Sequence, residues 1–156
     1  MRHKVKIYIV SFSAAFASFL IYLPALNNNF VTWDDNEYVY ENQNITSLNA
    51  DFFKWAFLKF NSSNWHPLTW VSHAVDYSIW GLNPFGHHLT SVVLHGINVF
   101  LVTLLIARLL EVFRKSAVSA DRLSDGNIMI AGAVAGLMFG LHPIHKKTVG
   151  PRAYPQ

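Results

Sequence analysis

Of 156 residues, 52% are hydrophobic and 13% are charged, about half the charged share of an average soluble domain. That balance, with a mean hydropathy of +0.24, excludes a disordered tail and argues against an ordinary soluble domain. The net charge of +3 comes from scattered basic residues, so nucleic acid is not an expected partner, and the absence of cysteine excludes disulfides, thiolate zinc sites and cysteine nucleophiles.

Ile7 to Leu26 is a stretch of 20 residues without a charge, long enough to cross the roughly 30 Å hydrocarbon core as a helix. Arg2, Lys4 and Lys6 precede it, as in a signal peptide, but the apolar run exceeds the roughly 7–15 residues of a signal core. No small-x-small cleavage site follows; Pro24 and Asn27-Asn28-Asn29 stand there instead. The stretch reads as an uncleaved first membrane helix. Ser11, Ala14, Ala15 and Ser18 are small residues at helical spacing, suited to close packing on a second helix.

Residues 27–87 form a long loop that holds all five Trp residues, Trp33, Trp55, Trp65, Trp70 and Trp80. So many amphipathic rings predict a loop lying on the membrane surface. Within it Asn49 can cap a short helix whose apolar side is Phe52, Phe53, Ala56 and Phe60, with Asp51 favourable in the first turn. A second helix can start at Pro67 and stop at Gly81. Its Leu68, Val71, Val75 and Ile79 fall on one face, and Trp70, His73, Tyr77 and Trp80 fall on the opposite one. One face can pack into membrane or protein while the other lines a polar, aromatic site; burial of both is the alternative.

Asp34 and Asp35 follow the first helix closely, in Phe30-Val-Thr-Trp-Asp-Asp. Two adjacent carboxylates there can take a proton or hold a divalent cation; the plain alternative is a solvated acidic turn. Asn44-Ile-Thr and Asn61-Ser-Ser are glycosylation sequons, relevant in a eukaryotic host.

Leu89 to Ala107 is a second uncharged stretch, of 19 residues, and Ile128 to Leu141 a third, of 14. The expected membrane helices span about 7–26, 89–110 and 127–141. His88, Ser91, His95 and Asn98 recur on one side of the second, as a site-lining stripe or, for His95 and Asn98, as interhelical hydrogen-bonding groups. Gly132, Gly136 and Gly140 stripe the third and would let a partner helix approach closely. His142 and His145, three apart, can bind a metal, or hydrogen-bond at an interface. Three basic residues precede the first helix, while residues 27–87 carry Lys54 and Lys59 against six acids. The positive-inside rule therefore places the N-terminus in the cytoplasm and the long loop outside.

Taken together, three stretches resemble the transmembrane-and-tetratricopeptide-repeat protein O-mannosyltransferase-like proteins, polytopic enzymes of the GT-C type. They are Phe30-Val-Thr-Trp-Asp-Asp-Asn-Glu-Tyr-Val, Asn64-Trp-His-Pro-Leu-Thr-Trp-Val-Ser-His-Ala-Val-Asp-Tyr, and Gly81-Leu-Asn-Pro-Phe-Gly-His-His-Leu-Thr. Leu141-His-Pro-Ile-His also fits. The resemblance implies an all-α membrane protein, residues 1–145 forming the N-terminal part of a GT-C-like domain with amphipathic surface helices in its outer loop.

It further implies transfer of a sugar, typically mannose, from a polyprenyl-phosphate carrier to a Ser/Thr hydroxyl of an acceptor protein, with inversion. Asp34 and Asp35 match the family's acidic site, one serving as general base. His66, His73, His87 and His88 would lie on the lipid-phosphate side. No metal-ligand set is assigned, and a divalent cation is the one cofactor left open. The membrane would be the bacterial inner membrane or, in a eukaryotic host, that of the endoplasmic reticulum. Such proteins usually continue after His145 with Val-Glu-Ser-Val-Ala-Trp and further helices, whereas residues 146–156 here read Lys-Lys-Thr-Val-Gly-Pro-Arg-Ala-Tyr-Pro-Gln. That tail predicts a truncated or frameshifted fragment, inactive alone and without a tetratricopeptide unit. The alternative class is a small multipass assembly or transport subunit that uses the Gly132, Gly136 and Gly140 stripe to meet a partner helix.

Overall fold

The computed structural model describes residues 2–31, 34–61, 64–116 and 123–142. Five α-helices follow in order: α1 (Arg2–Tyr22), α2 (Ala50–Leu58), α3 (Pro67–Trp80), α4 (Pro84–Ser116) and α5 (Asp125–Leu141). Short 3-10 and π turns at Leu23–Asn27, Asn36–Tyr40 and Gln43–Thr46 connect the first two. There is no strand among the described residues; Asn61 and Asn64 form one isolated bridge. The chain divides into two compact units, at Leu23/Pro24 and Thr90/Ser91. Two stretches are long and apolar enough to cross a membrane, Val5–Asn27 and Pro84–Ser116. At 17 residues α5 is a shorter apolar helix, about 25 Å long at 1.5 Å per residue. The expected third full span is thus reduced to an apolar helix somewhat shorter than the hydrocarbon core.

The first unit contains α1, the part of α4 from Ser91 onward, and α5. Small and polar residues are buried here beside Ile7, Val99 and Ile128, while many large apolar ones point out. Ser11, Ser18 and Thr103 are buried, while Phe12, Phe16, Leu105 and Met138 are exposed. That inversion suits helices whose outer faces meet lipid and whose contacts depend on close backbone approach. The glycine stripe is occupied within the chain, which corrects the expectation of an outside partner helix. A Cβ on Gly132 would lie 3.1 Å from the Thr103 carbonyl oxygen, one on Gly136 would meet the Thr103 hydroxyl, and one on Gly140 would meet Val99 and Ser18. His95 Nε2 lies 2.9 Å from the Gly140 carbonyl and donates to it, as expected for an interhelical group. Asn98 is exposed and takes no such part.

The helix ends extend beyond the expected bounds for local reasons. α4 starts at Pro84 because the Asn83 side chain accepts from Phe85 N at 3.1 Å and proline suits the first turn. It runs on to Ser116 with Arg114 and Lys115 in its last turn, where cations oppose the negative helix end. Arg114 also pairs with Asp125 at 2.6 Å, in the first turn of α5, and the Ser124 side chain caps that helix through Asn127 N.

The second unit holds residues 24–90. Its core is Val39, Ile45, Phe52, Ala56, Trp70 and Ala74. Asn49 caps α2 as expected, accepting from Phe52 N at 2.8 Å. Phe52 and Ala56 are buried, but Phe53 is largely exposed and Phe60, past the helix end, more so. α3 begins at Pro67 and ends at Gly81, whose φ of 60° is the left-handed backbone that glycine adopts without strain. Its buried face is the aromatic and polar one, with Trp70, Ala74 and Asp76, while Leu68, Val75 and Ile79 are exposed.

Filling the glycine stripe tests the first unit. Gly136→Ala should lower stability in detergent by about 1–3 kcal/mol, as overpacking does in a tight interior. Adding Thr103→Ala should restore part of the loss, read as the thermal unfolding midpoint of the single and double variants.

Candidate functional site

The second unit gathers most of its ionisable side chains on α3, on the first turns of α4 and on residues 34–40. On α3, His73 and Asp76 are three apart and so share one side of the helix. His87 and Thr90 stand three apart at the start of α4. One ligand-capable atom from each of His73, Asp76 and His87 lies within 4.8 Å of the others. Asp76 and His87 are buried and His73 is half-buried. Two imidazoles and a carboxylate are thus gathered at a place where the sequence reading assigns no metal-ligand set.

Asp76 and His87 are held from behind. Thr90 Oγ1 donates to Asp76 Oδ1 at 2.6 Å. His87 Nε2 lies 3.0 Å from the Gly81 carbonyl oxygen. A carbonyl can only accept, so Nε2 carries the proton in this bond, and Nδ1 faces Asp76 Oδ2 at 3.9 Å. Gly81 is fixed by its own N–H, which donates to the Tyr77 carbonyl at 2.8 Å. Burial pushes the Asp76 carboxyl above the usual carboxylate value, with the Thr90 bond and His87 acting in the opposite direction.

Aromatic rings wall the cluster. His73 and His87 have ring centroids 5.8 Å apart, and Tyr38 meets His73 edge-on at 6.4 Å. Phe30 lies against both adjacent histidines, 5.4 Å from His87 and 6.2 Å from His88. The acidic pair follows on this same segment, and its two members differ. Asp34 is exposed and its carbonyl oxygen accepts from Tyr38 N. Asp35 is buried, and its carboxylate accepts from Val31 N at 2.9 Å, closing the turn. They are therefore not two equivalent solvated acids.

Of the expected site residues, the structure sets His87 and His88 against Phe30 and His73 beside His87. His66 is exposed at the head of α3, where its carbonyl oxygen accepts from Trp70 N, and it stands outside the buried group. Asp76, a central member, was counted in the sequence only as one of the loop acids. Its signal was the His73-Ala-Val-Asp76 spacing on the face already marked as polar and aromatic. His142 caps the end of α5; His145 and residues 146–156 lie outside the described residues.

A charge buried at Asp76 generates a stability prediction. The raised carboxyl pKa means that the folded state disfavours the charged form. This cost is present in full above the folded pKa and disappears as pH falls toward 3.8, the ordinary value. Asp76→Asn removes it and keeps an acceptor for Thr90. In the presence of a chelator the variant should melt at least as high as the parent at pH 7, with the difference shrinking toward pH 4 in a tryptophan-fluorescence melt.

Comparison with known proteins finds relatives of the chain as a whole. The chain is 30% identical over 140 residues to "Protein O-mannosyl-transferase Tmtc1" of Drosophila melanogaster. It is 31% identical over 137 residues to "Protein O-mannosyl-transferase TMTC2" of Homo sapiens and 32% identical over 91 residues to "Protein O-mannosyl-transferase Tmtc3" of Drosophila melanogaster. The first two alignments cover 85% and 83% of this chain, and the chain spans 14% of the length of each relative. No family model matches, and no solved structure matches. The aligned relatives and the three sequence stretches of the loop agree: the chain belongs with the TMTC protein O-mannosyl-transferases.

Proposed function

We propose that this chain contributes the acceptor and carrier-phosphate side of a membrane O-mannosyl transfer site, on the outer face of a GT-C-like domain. The observation that carries the reading is the packing of the acidic segment on the histidine cluster. Phe30 lies on His87 and His88, and Asp35 closes the turn that presents Asp34. A base and a group of imidazoles thereby occur in one folded unit, which is what transfer from a phosphate leaving group to a hydroxyl requires.

In this reading Asp34, the exposed acid, takes the proton from a Ser/Thr hydroxyl of the acceptor protein. The acceptor oxygen bonds to the anomeric carbon from the face opposite the carrier, giving inversion. The bond from that carbon to the carrier phosphate breaks, and the phosphate leaves with the electron pair. His73, His87 and His88 stabilise the departing charge, with His66 at the rim. Asp35 is a positioning residue that shapes the turn. The carrier is a polyprenyl phosphate and the sugar mannose.

The same reading has the N-terminus in the cytoplasm, α1, α4 and α5 in the membrane and residues 27–87 outside. It applies to the inner membrane of a bacterial host and to the endoplasmic reticulum of a eukaryotic one. The segment 67–80 lies at the membrane surface through the exposed Leu68, Val75 and Ile79. In this reading the chain supplies one part of the transfer site, in keeping with its 14% share of the relatives' length. The assembly-subunit alternative loses its main support, because the Gly132, Gly136 and Gly140 surface is already covered by α4 and α1.

In a chimera that continues this chain with the remainder of a full-length relative, Asp34→Asn should reduce transfer by at least ~100-fold, the lower range of general-base contributions. Expression and melting should be unchanged, whereas Asp35→Asn should also lower the melting temperature. Near-normal transfer in Asp34→Asn returns the residue to a solvated turn. The orientation is tested separately with one cysteine in place of Asn61 in a chain that has none. An impermeant maleimide should label it from the outer side; labelling from the cytoplasmic side alone reverses the topology.

A further inference from the structure

We propose that His73, Asp76 and His87 form a binding site for a first-row divalent metal ion of the zinc class. The inference concerns the fold of the loop and does not depend on the transferase reading.

Three features point to it. The first is the donor set: two imidazoles and one carboxylate, with donor atoms within 4.8 Å of one another. Imidazole donors select zinc and its neighbours over magnesium or calcium, which prefer all-oxygen shells. In a tetrahedral zinc site, with metal–ligand distances near 2.0–2.2 Å, donors stand about 3.3 Å apart.

The second feature is the support behind the donors. Ligating histidines ordinarily donate their other N–H to a carbonyl or carboxylate, and ligating carboxylates are themselves hydrogen-bonded. Here His87 Nε2–H donates to Gly81 O and Thr90 Oγ1–H donates to Asp76 Oδ1. Both bonds leave the inward atoms, His87 Nδ1 and Asp76 Oδ2, aimed at one another across 3.9 Å. A cation between those two atoms would take an electron pair from each.

The third feature is placement. The donors come from two helices, α3 and α4, joined through the short Gly81–Asn83 turn, so one ion would clasp both helix ends. Three protein ligands leave a fourth position for water or an anionic oxygen, as in zinc sites that do chemistry.

The test uses the full chain, purified in detergent and stripped with a chelator. Isothermal titration with Zn²⁺ should give one equivalent with micromolar affinity or better. Co²⁺ should produce the intense visible absorption of a tetrahedral site, with Mg²⁺ unable to displace it. Asp76→Asn and His87→Gln should each weaken Zn²⁺ binding by at least ~100-fold. Thr90→Val should weaken it about 10–100-fold and Thr90→Ser little, the pattern of a supporting hydroxyl. The double variant His142→Ala with His145→Ala should retain the equivalent. Helix content by circular dichroism guards each variant against misfolding, and the Co²⁺ spectrum of the parent stands independently of any variant. The proposal is overturned by no saturable Zn²⁺ binding, by undiminished binding in Asp76→Asn and His87→Gln, or by loss of binding only with His142 and His145.

Discussion

A carboxylate removed from water needs partners, and at the α3–α4 corner that demand falls on Asp76. One oxygen takes the Thr90 hydroxyl and the other faces His87. Satisfying the first fixes the start of α4 against α3. The second faces the His87 ring across 3.9 Å, and the far nitrogen of that ring is tied to Gly81. Gly81 in turn can stand there only because a residue without a side chain accepts its positive φ. The α3–α4 corner thus follows from one buried charge and one permissive backbone, with Phe30 and Tyr38 completing the wall. Breaking a network of this kind by removing one partner costs more than the lost bond, since the others remain buried.

The unit of α1, the rear of α4 and α5 obeys a different rule. Its helices touch through Ser, Ala, Gly and Thr together with a small cluster of Ile7, Ala107 and Ile128, and many of its bulky residues are turned outward. Close approach brings His95 within reach of the Gly140 carbonyl and Ser18 beside the same residue. Van der Waals contact and such side-chain bonds hold helices together where lipid removes the hydrophobic incentive to bury Leu or Phe. A soluble bundle with this pattern would expose Phe12, Phe16, Leu105 and Met138 to water.

Much of this was legible before any coordinates. The caps at Asn49 and Gly81 and the start at Pro67 follow from local chemistry, and the structure has all three. The small-residue face of α1 and the glycine face of α5 were legible because spacing alone defines a helix face. Which surface they meet was not, since that depends on contacts more than 100 residues apart, such as Ser18 with Gly140. The histidines of the loop stood out by type. Asp76 did not, because a single acid reads as solvated until tertiary structure buries it. The acidic pair shows the same limit: adjacent residues look equivalent in sequence, and the fold buries Asp35 while leaving Asp34 exposed.

The relatives supply a family name, and the loop supplies chemistry suited to it, although the chain spans 14% of their length. The account stands or falls on the state of His87, the ring through which Asp76, Gly81 and Phe30 communicate. Nitrogen-15 NMR of the histidine side chains, on the full chain at a pH where imidazoles are neutral, reads that state directly. The predicted result is a proton on His87 Nε2, coupled across a hydrogen bond to the Gly81 carbonyl carbon, with Nδ1 unprotonated. A His87 ring protonated at Nδ1, with Nε2 bare and no coupling to Gly81, would contradict it.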